Sequence, residues 1–207
     1  MKINNKSILS NNPSENQPGG RELILQEATR LFVRQGYNGI SMREIAEACQ
    51  MTKAALYYHF KDKEDLLRCI FTTYLDKLSR HFSETGSQSG SARSRLTNLV
   101  NEIFEQSPEK RAVLHLMFVE LPHLDRNLQQ EIGSLYHSQF EGTIETILMQ
   151  GFQNGELRGM EPRITARLLI GMMYPLFHPR NFEQEHDIPE SVASMINIFF
   201  DGVTARE

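Results

Sequence analysis

Cysteine is nearly absent: the 207 residues include only Cys49 and Cys69. They form neither a CxxC pair nor a zinc-ligand pattern, so a disulfide framework and a structural zinc site are both excluded. Each reads as a small core thiol. Long hydrophobic runs are missing too. The longest uncharged apolar stretch, Leu168 to Phe177, falls far short of the ~18 residues a membrane span needs. The N-terminal MKINNKSILSNN lacks the apolar segment of ~7 to 15 residues that a secretory signal requires, which predicts a cytoplasmic protein. GxSxG, HExxH, P-loop and GxGxxG motifs are all lacking, so catalysis has no named residue and no enzyme or cofactor is expected. His178, Glu183, Glu185, His186 and Asp187 lie close together but without ligand spacing on a helix, and read as a polar loop rather than a metal site.

Forty percent apolar and 23% charged residues describe an ordinary globular chain. The net charge of −4 is unevenly spread: Met1 to Lys63 carries nine basic against six acidic residues, whereas the remainder carries 13 against 20. A basic first third on an acidic remainder suits a localised nucleic-acid contact.

Residues 1–20 are rich in Asn, Ser, Pro and Gly and read as a flexible tail. From Arg21, Ile24, Ala28, Leu31 and Phe32 recur at helical spacing until Gly36 stops the run. Ser41 and Glu44 form a capping box that starts a second helix at Met42. After a break at Gln50-Met51, Thr52 caps a short third helix to Phe60. Asp62 opens a fourth, whose stripe of Leu66, Leu67, Ile70, Phe71, Tyr74 and Leu78 continues to about Phe82. The linker-like ETGSQSGSA at Glu84 to Ala92 predicts a domain boundary. Further helices are expected at about Ala92–Gln106, Glu109–Leu121, Asp125–Gln153, Pro162–Phe177 and Pro189–Ala205, with most prolines near their ends. No segment alternates as a strand does. The expected fold is all-α: a helix-turn-helix domain at 21–68, then a helical bundle at 85–207.

The third helix carries the function. On a helical wheel Leu56 and Phe60 face Ile45 and Phe32, leaving Ala54, Tyr57, Tyr58 and Lys61 outward. Tyrosine hydroxyls suit phosphate oxygens and their rings suit sugars and thymine methyls. Ala54 and Ala55 let the backbone approach base edges, and Lys53 can reach guanine or phosphate.

These residues resemble the DNA-binding domain of the tetracycline-repressor (TetR) family. The likeness runs through Ile45-Ala46-Glu47-Ala48, Thr52-Lys53-Ala54-Ala55-Leu56-Tyr57-Tyr58-His59-Phe60 and Lys61-Asp62-Lys63-Glu64-Asp65-Leu66-Leu67. It implies a homodimeric repressor on operator DNA whose C-terminal domain binds a small effector. The implied DNA contacts are Ser41, Arg43, Thr52, Lys53, Ala54, Ala55, Tyr57, Tyr58, His59 and Lys63, with Tyr57, His59 and Lys63 as phosphate anchors. A helix N-terminus beside a lysine suits phosphate, although Asp62, Glu64 and Asp65 could complement the dipole instead. Gln50 and Ala54 stand where the family usually or often has glycine.

In the second domain, bulky side chains with a few polar groups nominate His115, Phe118, Tyr136, Phe140, Met173 and Tyr174 for the effector. The resemblance implies that the last two helices pair with their copies, and their apolar stripes nominate Leu168, Met172, Val192, Met195 and Phe199. The alternative is an all-α carrier with a silent helix-turn-helix; Tyr57, Tyr58 and Lys63 discriminate, because a carrier gains nothing from an exposed aromatic and basic face.

Overall fold

The computed structural model describes residues 19–85, 90–178 and 188–203. Residues 1–18 of the expected tail, residues 86–89 of the linker and the acidic stretch 183–187 lie outside them, and the helix after the tail already begins at Gly20. Among the described residues there is no strand, and no helix is long and apolar enough to cross a membrane. One continuous apolar core runs from Ile24 to Val203.

Three short helices come first: α1 (Gly20–Gln35), α2 (Met42–Ala48) and α3 (Lys53–His59). Gly36 ends α1 at φ 75°, where its amide still reaches the Phe32 carbonyl. The capping box of α2 is complete, with the Ser41 and Glu44 side chains each bonding the other's backbone amide. Thr52 Oγ1 accepts from the Ala55 amide at 3.1 Å and so starts α3. Between them Gln50 takes φ 55°. The turn therefore keeps the left-handed conformation that glycine adopts freely, at a cost of about 1 kcal/mol for a residue with a Cβ. Ile45, Leu56 and Phe60 are buried together with Phe32 beneath this unit.

Helix α4 (Lys63–Thr85) leaves the helix-turn-helix and runs into the bundle, ending slightly beyond the expected Phe82. The bundle comprises α5 (Ala92–Phe104), α6 (Pro108–Glu120), α7 (Arg126–Tyr136), α8 (Gly142–Gln153), α9 (Pro162–Met173) and α10 (Ile188–Val203), and α4 packs against α6 and α7. Two expected helices are interrupted. Between α7 and α8 the chain makes a π turn, His137–Glu141, closed by Gly142, where a Cβ would stand 2.9 Å from the His137 carbonyl oxygen. After α9 the chain tightens into a 3-10 turn, Tyr174–Phe177, because Pro175 has no amide to continue the α-helical ladder.

Candidate nucleic-acid interface

Apolar residues sink one side of α3 and leave the other bare. Leu56 is fully buried, as is Phe60 just beyond the helix, whereas Tyr57 is 42% and Tyr58 86% exposed. A side chain as large as Tyr58 gains nothing from solvent. Lys53, Ala54 and Ala55 share the exposed surface, and Lys53 Nζ lies 5.5 Å from the centre of the Tyr57 ring. His59, half-buried, packs edge-on against Tyr58 at 5.3 Å. Beside α3 a shallow groove is lined by Asn38, Ser41, Arg43, Lys53, Tyr57 and Lys63. Arg43 is exposed, its ion pair among the described residues a loose 3.6 Å contact with Glu47, so it can turn toward an anion.

Three of the expected contact residues have internal work. Ser41 donates its hydroxyl to Glu44 at 2.6 Å and accepts the Glu44 amide at 3.3 Å, which holds the Glu44 carboxyl below its ordinary range. Its hydroxyl hydrogen is therefore committed to the cap. Thr52 uses only an acceptor lone pair, so its hydroxyl hydrogen remains available. Lys63 differs most from the expectation of a phosphate anchor. Its ammonium donates to the Tyr37 and Ile40 carbonyls at 2.8 and 2.9 Å and sits 4.2 Å from the centre of the Tyr37 ring. Two of its three donors thus fasten the α1–α2 turn, and burial pulls its pKa down. Sequence spacing could place Lys63 at a helix start but could not show which carbonyls face it.

The same turn meets the bundle. The Tyr37 amide donates to Glu120 Oε1 at 3.1 Å, from the buried carboxylate that ends α6. Burial, with Glu64, Asp62 and Glu120 adding negative potential, pushes the Tyr37 phenol up to about 12. Sequence reading missed Glu120 because a single glutamate on a helix carries no signal of its burial.

Inside the bundle, five of the six nominated effector residues join one row of ring contacts. His115 stacks on Tyr174 at 5.6 Å, Tyr174 meets Phe118 at 5.4 Å, Phe118 meets Tyr136 at 5.8 Å, and Tyr136 meets Phe140 at 5.3 Å. Met173 is fully buried one residue before Tyr174. On the last two helices Leu168 is 54% exposed, whereas Val192, Met195 and Phe199 are buried within the single chain. Met172 is half-buried. Ile164, in the same apolar stripe of α9 as Leu168, is 58% exposed, and Ile198 on α10 is 65% exposed.

Among the described residues one group has metal-ligand character: His137, Glu141 and Glu145 bring ligand atoms within 4.8 Å of one another. Arg167 Nε already donates to Glu141 at 2.6 Å, and Arg163 stands 4.0 Å from Glu145. The charges are compensated, so the group acts as an ion-pair network tying the π turn to α9.

Comparison with known proteins places this geometry. Residues 24–70 match the model of bacterial regulatory proteins of the tetR family, and residues 89–178 match that of the tetracyclin repressor-like C-terminal domain. The HTH-type transcriptional regulator YuxN of Bacillus subtilis (strain 168) is 27% identical over 129 residues, which cover 61% of this chain but only 44% of that protein. Two solved structures share the fold. AibR in complex with isovaleryl coenzyme A and operator DNA has a TM-score of 0.71 and 23% identity, with 87% of this chain and 97% of that one covered. FadR from Bacillus subtilis in complex with stearoyl-CoA has a TM-score of 0.73 and 20% identity, with 86% and 96% covered. With one model on the helix-turn-helix and the other on the bundle behind it, the chain belongs to the tetR family of bacterial regulatory proteins.

Proposed function

We propose that this chain is a transcriptional repressor that binds a palindromic operator as a homodimer and is released by a small-molecule effector. The observation that carries the reading is α3, a short helix anchored by Leu56 and backed by Phe60, with Tyr57 and Tyr58 turned outward beside Lys53. Laid in a major groove, this face offers two hydroxyls, two rings and a cation, with the small Ala54 and Ala55 allowing close approach. Arg43 and Thr52 add phosphate contacts from either side, and His59 flanks them. Ser41 and Lys63 support the surface from behind.

Pairing of two copies through the apolar faces of α9 and α10, around Ile164, Leu168 and Ile198, would set the two recognition helices against successive major grooves about 34 to 36 Å apart. An effector inside the bundle acts on this spacing through α4, which joins the helix-turn-helix to the aromatic row. Because AibR was solved with isovaleryl coenzyme A and operator DNA, and FadR with stearoyl-CoA, acyl thioesters are the first effectors to test.

The test is fluorescence anisotropy against DNA flanking the protein's own gene, with unrelated DNA as competitor and a salt series. Saturable binding that resists competitor, weakened by an effector, is the expected result. Binding erased equally by competitor and by salt would overturn the repressor reading.

A further inference from the structure

Leu56 is the one buried residue of α3, and its burial fixes how this short helix is turned about its axis. At about 100° per residue, Ala54 and Tyr58 each stand within about 20° of the direction opposite Leu56. Exposure agrees with the wheel: Ala54 is exposed, and Tyr58, at 86%, is far barer than Tyr57 at 42%. Lys53 and Tyr57 occupy one flank of this line, with Lys53 Nζ 5.5 Å from the centre of the Tyr57 ring, and Ala55 and His59 occupy the other. The outermost strip of α3 is therefore a methyl group followed, one turn on, by an aromatic ring. The cation stands beside the strip rather than on it.

The first turn of the helix is held in place as well, because Thr52 Oγ1 accepts the Ala55 amide at 3.1 Å. Recognition helices meet base edges with their N-terminal residues, and Ala54 is the second residue of α3. A methyl group has nothing to offer a phosphate, since it neither donates a hydrogen bond nor carries charge. In the major groove the base pairs display donors, acceptors and one apolar group, the 5-methyl of thymine. An apolar strip at the base edges has that group as its match.

Resting on the repressor reading above, we propose that each operator half-site sets a thymine beneath the Ala54–Tyr58 strip, where its 5-methyl group packs between the Ala54 methyl and the Tyr58 ring, so that Ala54 and Tyr58 are specificity-determining residues. Uracil at that position keeps every hydrogen-bonding group and loses only the apolar contact. Removing one buried methyl corresponds to about fourfold in affinity. The strip answers to the methyl and not to the base that carries it, so 5-methylcytosine satisfies it where cytosine does not.

The experiment uses the full-length protein and an operator fragment that it retains against competitor DNA. Each thymine of one half-site is replaced in turn by deoxyuridine, and affinity is read by anisotropy. At least one replacement should weaken binding about fourfold. At that position 5-methylcytosine should outbind cytosine by a similar factor. In Ala54→Gly and in Tyr58→Ala, the ratio of the uracil to the thymine dissociation constant should fall from about four to about one. A weakened helix would lower affinity for both DNAs alike and leave the ratio unmoved, so the ratio separates a contact from a structural effect. Ala54→Ser, which keeps the Cβ but turns a hydroxyl toward the thymine methyl, is the second variant should Ala54→Gly fold poorly, and it too should lower the ratio.

Full affinity at every uracil position, equal binding of cytosine and 5-methylcytosine, or a ratio that stays at about four in either variant would each overturn the proposal. With operator binding intact, these outcomes overturn this inference alone. Absence of competitor-resistant operator binding overturns the repressor reading and this inference together.

Discussion

The amide of Tyr37 and the carboxylate of Glu120, 83 positions apart in the chain, meet at 3.1 Å where the turn after α1 rests on the end of α6. Lys63 holds the other side of the same turn through the Tyr37 and Ile40 carbonyls. The N-terminus of α2, with Ser41 and Arg43, follows directly. The turn that leads into α2 is thus bonded both to the end of α6 and to the start of α4.

Glu120→Ala strands the Tyr37 amide in a half-buried position, and such a loss costs about 1 to 3 kcal/mol. Glu120→Gln keeps an acceptor oxygen and should cost under about 1 kcal/mol. Urea denaturation of the two variants compares them, and equal midpoints would show that the seam does not depend on this bond.

Tyr58 is anchored only at its backbone and its neighbour His59, with 86% of its surface exposed. Tyr58→Ala should therefore leave the thermal midpoint within about 1 °C, since surface substitutions usually stay within ±0.5 kcal/mol. Operator affinity should fall at least tenfold. Wild-type affinity in the anisotropy assay would remove α3 as the reading head.

Lys63 and Arg43 line one groove yet should behave differently. Arg43→Ala removes an exposed cation held only loosely by Glu47, so the slope of log affinity against log salt should shrink by about one with little change in stability. Lys63→Met loosens the α1–α2 turn, lowering stability by about 1 to 3 kcal/mol while the salt slope changes little. A slope change for Lys63→Met matching that for Arg43→Ala would restore it as a phosphate anchor.

Ile164 and Leu168 stand four residues apart on α9, each more than half exposed. A double change to glutamate places two charges on that face. Sedimentation should then show monomers whose helical circular dichroism is intact, because neither side chain belongs to the chain's own core. A dimer that persisted would move the interface elsewhere.

Local rules settled much of the architecture before any coordinates. Side-chain oxygens three residues upstream of a free amide start helices in water as in a protein, so Ser41 and Thr52 could be read as caps. Periodicity marked Leu56 and Phe60 as inward and Tyr57 and Tyr58 as outward, since a seven-residue helix has only one face to bury. Interruptions were harder to read. The π turn at His137–Glu141 lies against α4 and α9, segments distant in the chain, and Pro175 signalled a stop without showing that the chain would tighten first.

What the sequence by itself determined is which residues are helical, where those helices begin, and which side of α3 stays outside, because these follow from interactions within a few positions. Only the tertiary structure decided that Lys63 faces carbonyls, that Glu120 meets Tyr37, that Val192, Met195 and Phe199 are core while Ile164 and Ile198 are surface, and that the Tyr74 hydroxyl is left unbonded. Each is a contact between segments distant along the chain. A helix with a broad apolar stripe records that it must be covered, but the covering element is chosen by how all the helices pack at once.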